Sequence, residues 1–270
     1  MMKTKIVKLS VLVLAILLLL TSCSPSDANQ TAVAQTGFDS PEDAVVAYLE
    51  GLRDSSFDRM LGAFAVETYV EHFNLEAYLE RLRVYHLHVA PLPDANELTT
   101  AMNTEMRRGD VVREIRAQYL ILTQSELEST LIPLQIEEGG AGDFIREFSG
   151  LLNAPELHTL EILGFIPPEN ISEIYASEQN QENKARNAQF LGADRLVSRI
   201  AVFELDGNKY LLFVEAVSYD DRWYLAQFGG NAGALVALPI GLHGLVNMSY
   251  WYADEFFGEL LESMIIVESP

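Results

Sequence analysis

The sequence predicts an α+β fold in which N-terminal helices pack on a curved antiparallel sheet. Apolar residues recur at helical spacing between residues 40 and 85, whereas three β-type runs follow one another between residues 196 and 228. Helices and strands are therefore segregated along the chain, which is typical of α+β domains and not of alternating α/β folds. With 270 residues, 49% of them hydrophobic, the chain is long enough to bury a sizeable core.

The first helix is predicted to begin at Pro41, with Ser40 as its N-cap and two acidic residues in its first turn. An Asp-Ser-Ser sequence at 54–56 ends this helix and caps a second one, whose apolar stripe covers residues 57–64. Apolar residues at helical spacing then predict a third helical stretch over residues 69–85. All three are amphipathic and must bury one face.

Residues 89–155 are predicted to be a mainly helical insertion. Pro91 and Pro93 indicate a loop, after which apolar spacing predicts a helix that ends near Thr123. A glycine-rich loop at 139–142 precedes a short predicted helix over residues 144–152.

The second half of the chain changes its apolar period. Residues 157–166 are predicted to form a strand that stops at two prolines, and residues 178–191 a polar helix capped by Ser177.

Three further strands are predicted over residues 196–205, 210–219 and 223–228. Asp206-Gly207-Asn208 and Asp220-Asp221 separate them and are typical of tight hairpin turns, so the three form an antiparallel meander. The first two runs are apolar on both faces, which predicts a sheet covered on both sides over part of its length.

Trp223 and Leu225 are two residues apart and share a face of the third of these strands. We expect both side chains to face the helices, and we expect the helix that starts after Ser40 to pack on this sheet.

Short sequences at both ends of this region resemble the nuclear transport factor two-like superfamily. Ser40-Pro41-Glu42-Asp43-Ala44-Val45-Val46-Ala47-Tyr48-Leu49 is similar to its opening helix, and Asp206-Gly207-Asn208-Lys209-Tyr210 and Asp221-Arg222-Trp223-Tyr224-Leu225 resemble its final hairpin. The resemblance covers roughly residues 38–88 and 156–228 and implies an α+β cone. We therefore expect one domain over residues 38–270, with an insertion at 89–155 and a C-terminal extension at 229–270 that both depart from the compact family pattern.

The N-terminus has the features of a secretory signal. Three lysines precede an apolar run of ten residues at 11–20, whereas a membrane-spanning helix needs about 20. Leu20-Thr21-Ser22-Cys23 resembles the lipobox of bacterial lipoproteins. That resemblance implies cleavage before Cys23, a diacylglyceryl thioether on its sulfur and an acylated amino terminus.

These features predict a signal peptide at 1–22 and a flexible tether at 23–37, which is rich in Ser, Ala, Asn, Gln and Thr. The protein would then be exported and anchored to the cell membrane by lipid, facing away from the cytoplasm. Its partner would be membrane lipid, held through acylated Cys23.

The net charge of −21 excludes nucleic acid as a natural partner, because phosphates would repel the chain.

Metal and cofactor motifs are weak or absent in the sequence. His86 and His88 form an H-x-H pair without a third ligand nearby, and exposed histidines at a helix end are the favoured interpretation. Acidic pairs at 126 and 128 and at 137 and 138 lack a calcium-loop pattern, so a solvated surface is favoured. We expect no metal and no cofactor.

An enzymatic alternative follows from the family resemblance. Ketosteroid isomerase and scytalone dehydratase, which belong to that superfamily, use a carboxylate or histidine with tyrosines inside the cone. The candidates here are His158 and Glu215, expected on strands, with Tyr210 and Tyr224 nearby. None matches a family motif, and the favoured interpretation of each is a solvent-facing strand residue or a tyrosine with its ring in the core. No catalytic residue is assigned.

An aromatic cluster lies in the C-terminal extension and is either a ligand platform or packing for the tail, with packing favoured. Its members are Tyr250, Trp251, Tyr252, Phe256 and Phe257.

Three hypotheses about the function remain. The favoured one is a non-enzymatic envelope lipoprotein that binds a small apolar ligand or another envelope protein. The others are an isomerase- or dehydratase-like enzyme and a structural interaction module.

Overall fold

The computed structural model describes residues 37–86, 88–123, 140–152, 155–229, 244–248, 258 and 261–266. Three features predicted from the sequence lie outside the described residues: Cys23 with its lipobox, the tether up to residue 36, and the aromatic cluster of the tail. The described residues from Gly37 onward belong to one compact unit.

Between residues 37 and 90, the described residues form four helices: α1 (Pro41–Arg53), α2 (Phe57–Gly62), α3 (Glu67–His72) and α4 (Leu75–Leu82). The predicted start of α1 is confirmed, because the Ser40 Oγ accepts a hydrogen bond from the Asp43 N–H at 3.0 Å. The prediction of one continuous third stretch is wrong. Phe73 leaves the helical conformation, and the Asn74 side chain caps α4 by accepting from the Ala77 N–H at 3.0 Å.

The predicted insertion contains α5 (Glu97–Thr123) and α6 (Ala141–Leu151). The predicted end of α5 at Thr123 is confirmed. The helix begins well before the apolar residues that predicted it. The Asn96 side chain caps its first turn by accepting hydrogen bonds from the N–H groups of Leu98 and Thr99. The 27-residue helix α5 packs against α2, α3 and the sheet.

The strands are β1 (Glu161–Ile166), β2 (Arg195–Leu205), β3 (Asn208–Tyr219), β4 (Arg222–Phe228), β5 (Leu245–Asn247) and β6 (Ile265–Ile266). The prediction of a strand from residue 157 is wrong for its first part, where Pro155–Thr159 is a 3₁₀ helix. Between β1 and β2 lie α7 (Pro168–Ile171), α8 (Glu173–Ala176) and α9 (Glu178–Leu191), and Ser177 caps α9 as predicted.

The sheet has the order β4-β3-β2-β1-β6, with β5 also paired to β3, and every pairing is antiparallel. Both predicted hairpin turns are confirmed. Asp206 and Gly207, like Asp220 and Asp221, have positive φ at both turn positions, which matches the right-handed twist of the flanking strands. The protein is therefore an α+β domain with helices on a curved open antiparallel sheet.

Both faces of the sheet carry buried apolar side chains. On the first face, Phe203, Leu212 and Leu225 belong to the same buried cluster as Tyr48 and Leu49 of α1. On the second face, two smaller clusters lie apart, one centred on Phe213 and the other on Val217 and Tyr224. Trp223 is buried, as predicted. The arrangement leaves a gap on the second face, and the candidate site lies there.

Candidate functional site

A cavity of about 620 Å³ lies between the second face of the sheet and helices α3, α4, α5 and α9. Each of these elements contributes side chains to it, as do strands β3 and β4. Its size falls within the range of roughly 300–1,000 Å³ that is typical of small-molecule sites.

Aromatic rings from three helical segments form one wall of the cavity. The ring of Phe73 lies 5.5 Å from Tyr69 and 5.6 Å from Tyr78, and Tyr78 lies 5.9 Å from Phe190 of α9. The break between α3 and α4 makes this possible, because Asn74 donates its N–H to the Phe190 carbonyl at 2.9 Å and holds the junction against α9. The helix break that the sequence pattern does not predict thus places the aromatic wall.

A row of three polar side chains crosses strands β2, β3 and β4 on this face. Ser198 pairs with Glu215, and Glu215 pairs with Gln227, whose Nε2 donates to Glu215 Oε2 at 2.6 Å. A β-bulge at Ala226 brings Gln227 opposite Glu215. Glu215 and Gln227 line the cavity, and Glu215 is only 6% exposed. The row separates the two apolar clusters of the second face and gives the cavity a polar floor.

Arg107 of α5 enters the cavity from the opposite side. Its Nη2 donates to the carbonyl oxygen of Ala226 at 2.6 Å, and its Nε donates to that of Ala65 at 3.4 Å. Its guanidinium lies over the ring of Tyr69, 4.6 Å from the centroid. Burial lowers the pKa of Arg107, while Tyr69 and Tyr219 oppose this effect, and the group remains a cation at neutral pH.

Two tyrosines of the cavity, Tyr69 and Tyr219, are neutral hydrogen-bonding groups. Burial raises the pKa of Tyr69 to about 12 and raises that of Tyr219 further. Both therefore keep their protons at any physiological pH.

The cavity lining also contains an ion pair. Asp110 pairs with Arg113, which lies one turn further along α5.

A second, smaller pocket of about 330 Å³ adjoins the other side of the polar row. Lys184 of α9 lies there with its Nζ 3.7 Å from the centroid of the Tyr175 ring. Burial lowers the pKa of Lys184 to about 8, while Glu215 raises it. The hydroxyls of Tyr175 and Ser198 are both buried and form no hydrogen bond of normal geometry with the described residues.

The residues proposed for an acid/base site do not come together. Glu215 lines the cavity, and Tyr224 is buried on the same face with its ring 6.2 Å from Tyr219. Tyr210 lies on the opposite face, stacked 5.2 Å from Phe203. The expectation that His158 lies on a strand is wrong, because it lies on the 3₁₀ helix Pro155–Thr159 and is exposed.

The H-x-H pair does not form a metal centre with any described residue. His86 and His88 are both exposed and follow the end of α4, although His86 also lines the cavity. Within the described ranges, no three histidine, cysteine, aspartate or glutamate side chains come close enough to hold a metal ion. Within the same ranges, no helix combines the length and the apolar character needed to cross a membrane.

Sequence reasoning missed Arg107, Ser198 and Gln227. The sequence does contain a signal for Glu215, because a carboxylate stands in the centre of the apolar run of β3. Ser198 within β2 is a weaker signal of the same kind. Arg107 has no such signal, because arginine is common on exposed helices and its two carbonyl partners belong to distant segments.

Comparisons with known proteins add little to this picture. Neither the comparison with protein families nor that with curated proteins finds a match. A solved structure of a cystatin-like protein from Ruminococcus gnavus is similar with a TM-score of 0.44 and 16% sequence identity. The match covers 85% of this chain and 48% of that one, so the chain spans about half the length of that structure.

Proposed function

We propose that the protein is a non-enzymatic lipoprotein of the cell envelope whose domain binds a small ligand in the cavity on the second sheet face. The observation that carries this proposal is the cavity of about 620 Å³, with its aromatic wall and the buried carboxylate of Glu215 on its floor. An apolar pocket with a few convergent polar groups is the usual form of a small-molecule site. The aromatic wall would hold the body of the ligand, and the polar row would orient it.

The location of the protein is part of the same proposal. The match of Leu20-Thr21-Ser22-Cys23 to a lipobox supports export and attachment to the membrane through acylated Cys23. Two or more acyl chains make a stable anchor, because each buried methylene contributes about 0.8 kcal/mol. The full sequence has a net charge of −21, and cleavage of the signal would remove three lysines and no acidic residue, so the remaining chain would be more negative and would be repelled by anionic headgroups.

We also propose that the fold is an enlarged cone of the nuclear transport factor two-like type. Helices that precede a strand, three further helices and a three-strand meander support this assignment. The long helix α5, which lies in the predicted insertion, would then be an addition that closes the cavity.

Binding can be tested with a fluorescent probe that carries no charge. N-phenyl-1-naphthylamine should bind the full chain saturably, with increased emission as it enters an apolar site. Phe190→Ala removes part of the aromatic wall and should weaken binding severalfold. Phe144→Ala makes the same change on α6, outside the cavity lining, and should leave binding unchanged. No saturable binding, or equal effects of the two substitutions, would contradict the proposal.

An acid/base enzyme is the second candidate, and the position of Glu215 favours it. A buried carboxylate beside an amide donor, at the floor of a cavity, is suited to moving a proton at a bound substrate. The test is exchange of α-hydrogens in a panel of ketones in D₂O. Catalysed exchange by the native chain that is lost in Glu215→Gln would support the enzyme, and no exchange above background would leave binding as the function.

A further inference from the structure

The charged side chains that line the cavity carry more negative than positive charge. Glu215, Glu114 and Asp110 contribute carboxylates, whereas Arg107 and Arg113 contribute the guanidinium groups. Arg113 is paired with Asp110, and Arg107 donates to two backbone carbonyls. The lining thus holds three carboxylates and two guanidinium groups, so its net charge is negative although Arg107, bound to uncharged carbonyls, keeps its positive charge.

The aromatic wall favours a positive charge for an independent reason. The face of an aromatic ring is electrostatically negative and attracts cations within about 6 Å of its centroid. Two rings of this wall already attract a cation of the protein, since Arg107 lies 4.6 Å from the centroid of Tyr69 and Arg81 lies 5.8 Å from that of Phe190. A ligand cation would therefore meet the rings of Phe73 and Tyr78, over which no guanidinium of the described residues lies.

The charge of the whole chain acts in the same direction. With a net charge of −21, the protein repels anions and raises the local concentration of cations around it.

We propose that the ligand of this cavity is a small organic cation, an ammonium with apolar substituents. The carboxylate of Glu215 attracts the ammonium at the floor, and the rings of Phe73 and Tyr78 contact its apolar groups. This inference rests on the proposed binding function, and it names the chemical class of the ligand.

A matched pair of probes separates charge from shape. Choline and 3,3-dimethylbutan-1-ol have the same branched outline, but only choline carries a positive charge. Each is titrated into the full chain with N-phenyl-1-naphthylamine bound, and displacement gives its affinity. We expect choline to bind at least tenfold more tightly than the neutral alcohol, with the difference decreasing at high ionic strength.

Variants assign the preference to the cavity. Glu215→Gln should reduce the affinity for choline about tenfold and leave that of the alcohol unchanged. Glu204→Gln changes a carboxylate on β2 that does not line the cavity, and it should have no effect. Urea unfolding verifies that each variant is folded. If Glu215→Gln does not fold, Glu114→Gln on α5 takes its place, with a severalfold loss expected for choline alone.

The outcomes distinguish this inference from the proposed function. Equal affinities for choline and the alcohol would overturn the cationic ligand and leave a cavity that binds by shape. Displacement by neither compound, with the dye still bound, would also overturn it. Failure of the dye itself to bind would contradict the proposed function.

Discussion

Arg107 donates a hydrogen bond from its Nη2 to the carbonyl oxygen of Ala226 at 2.6 Å, and so joins the long helix α5 to the edge strand β4. Ala226 is the extra residue of the β-bulge, so its position differs from that of its neighbours in the ladder. The same guanidinium donates to Ala65, whose N–H in turn donates to the Leu225 carbonyl at 3.4 Å. A segment predicted as an insertion therefore helps to cover the edge of the sheet and closes the cavity.

Arg107→Met should lower the free energy of unfolding by about 1–3 kcal/mol, because the carbonyls of Ala65 and Ala226 lose their charged donor. Arg113→Met removes an ion pair on the exposed surface of the same helix and should cost at most about 1 kcal/mol. Urea titrations of both variants measure the difference. Equal losses would show that the bond to the edge strand does not stabilise the fold.

Trp223→Ala should lower the free energy of unfolding by about 3–5 kcal/mol, the usual result of truncating a buried tryptophan. The side chain is 6% exposed, and its ring lies 4.8 Å from the Arg195 guanidinium. Trp251→Ala, in the C-terminal extension, should cost clearly less. If urea unfolding shows the reverse, the extension belongs to the core and the boundary at residue 228 is wrong.

Truncation at the N-terminus should show a sharp boundary. A chain that begins at Gly37 should keep its melting temperature, because residues 1–36 are predicted to be signal and tether. A chain that begins at Asp39 should melt several degrees lower, because it loses both backbone hydrogen bonds between Phe38 and Trp223, of 2.9 and 2.8 Å. Thermal unfolding followed by circular dichroism compares the two chains. A lower melting temperature for the longer chain would mean that the tether packs on the domain.

Stability should increase with pH between about 8 and 10. The pKa of Lys184 is lowered to about 8 in the folded chain, whereas an unfolded lysine titrates near 10.4. Between these values the unfolded chain binds the extra proton, so the free energy of unfolding rises with pH. Above about pH 10 the trend should reverse, because Tyr69 and Tyr175, each with a pKa raised to about 12, keep protons that the unfolded chain loses.

Two lysine variants test the origin of this pH dependence. Lys184→Met should abolish the rise between pH 8 and 10, whereas Lys209→Met, at an exposed position on the β2–β3 hairpin, should retain it. Urea titrations at closely spaced pH values provide the comparison. A rise that persists in Lys184→Met would assign the effect to another group.

Cys23→Ala should yield a chain without lipid. Metabolic labelling with a fatty-acid analogue in a bacterial host compares the native chain with the variant. The native chain should carry the label and the variant should not, since the thioether requires the cysteine sulfur. Equal labelling of both would refute the lipobox prediction.

Local sequence signals predicted the elements whose energetics are local. Ser40 and Ser177 cap their helices through bonds to residues three positions away, and the two aspartate-containing turns specify their hairpins through their own backbone angles. Such features can be predicted from a few consecutive residues. The α+β class follows from the same patterns, because the apolar period of a segment reports the face that it buries.

The candidate site depends on contacts that no local pattern describes. Arg107 and Ala226 are 119 positions apart, and the rings of Tyr78 and Phe190 meet only because α4 packs against α9. His158 shows that a local pattern can also mislead. The apolar run that begins at residue 157 predicted a strand, but Pro155–Thr159 forms a 3₁₀ helix and the imidazole is exposed. The amino-acid sequence by itself determines which residues prefer burial. Which polar side chains share a cavity depends on the packing of helices on the sheet, because packing brings together groups from segments that have no sequence relation to one another.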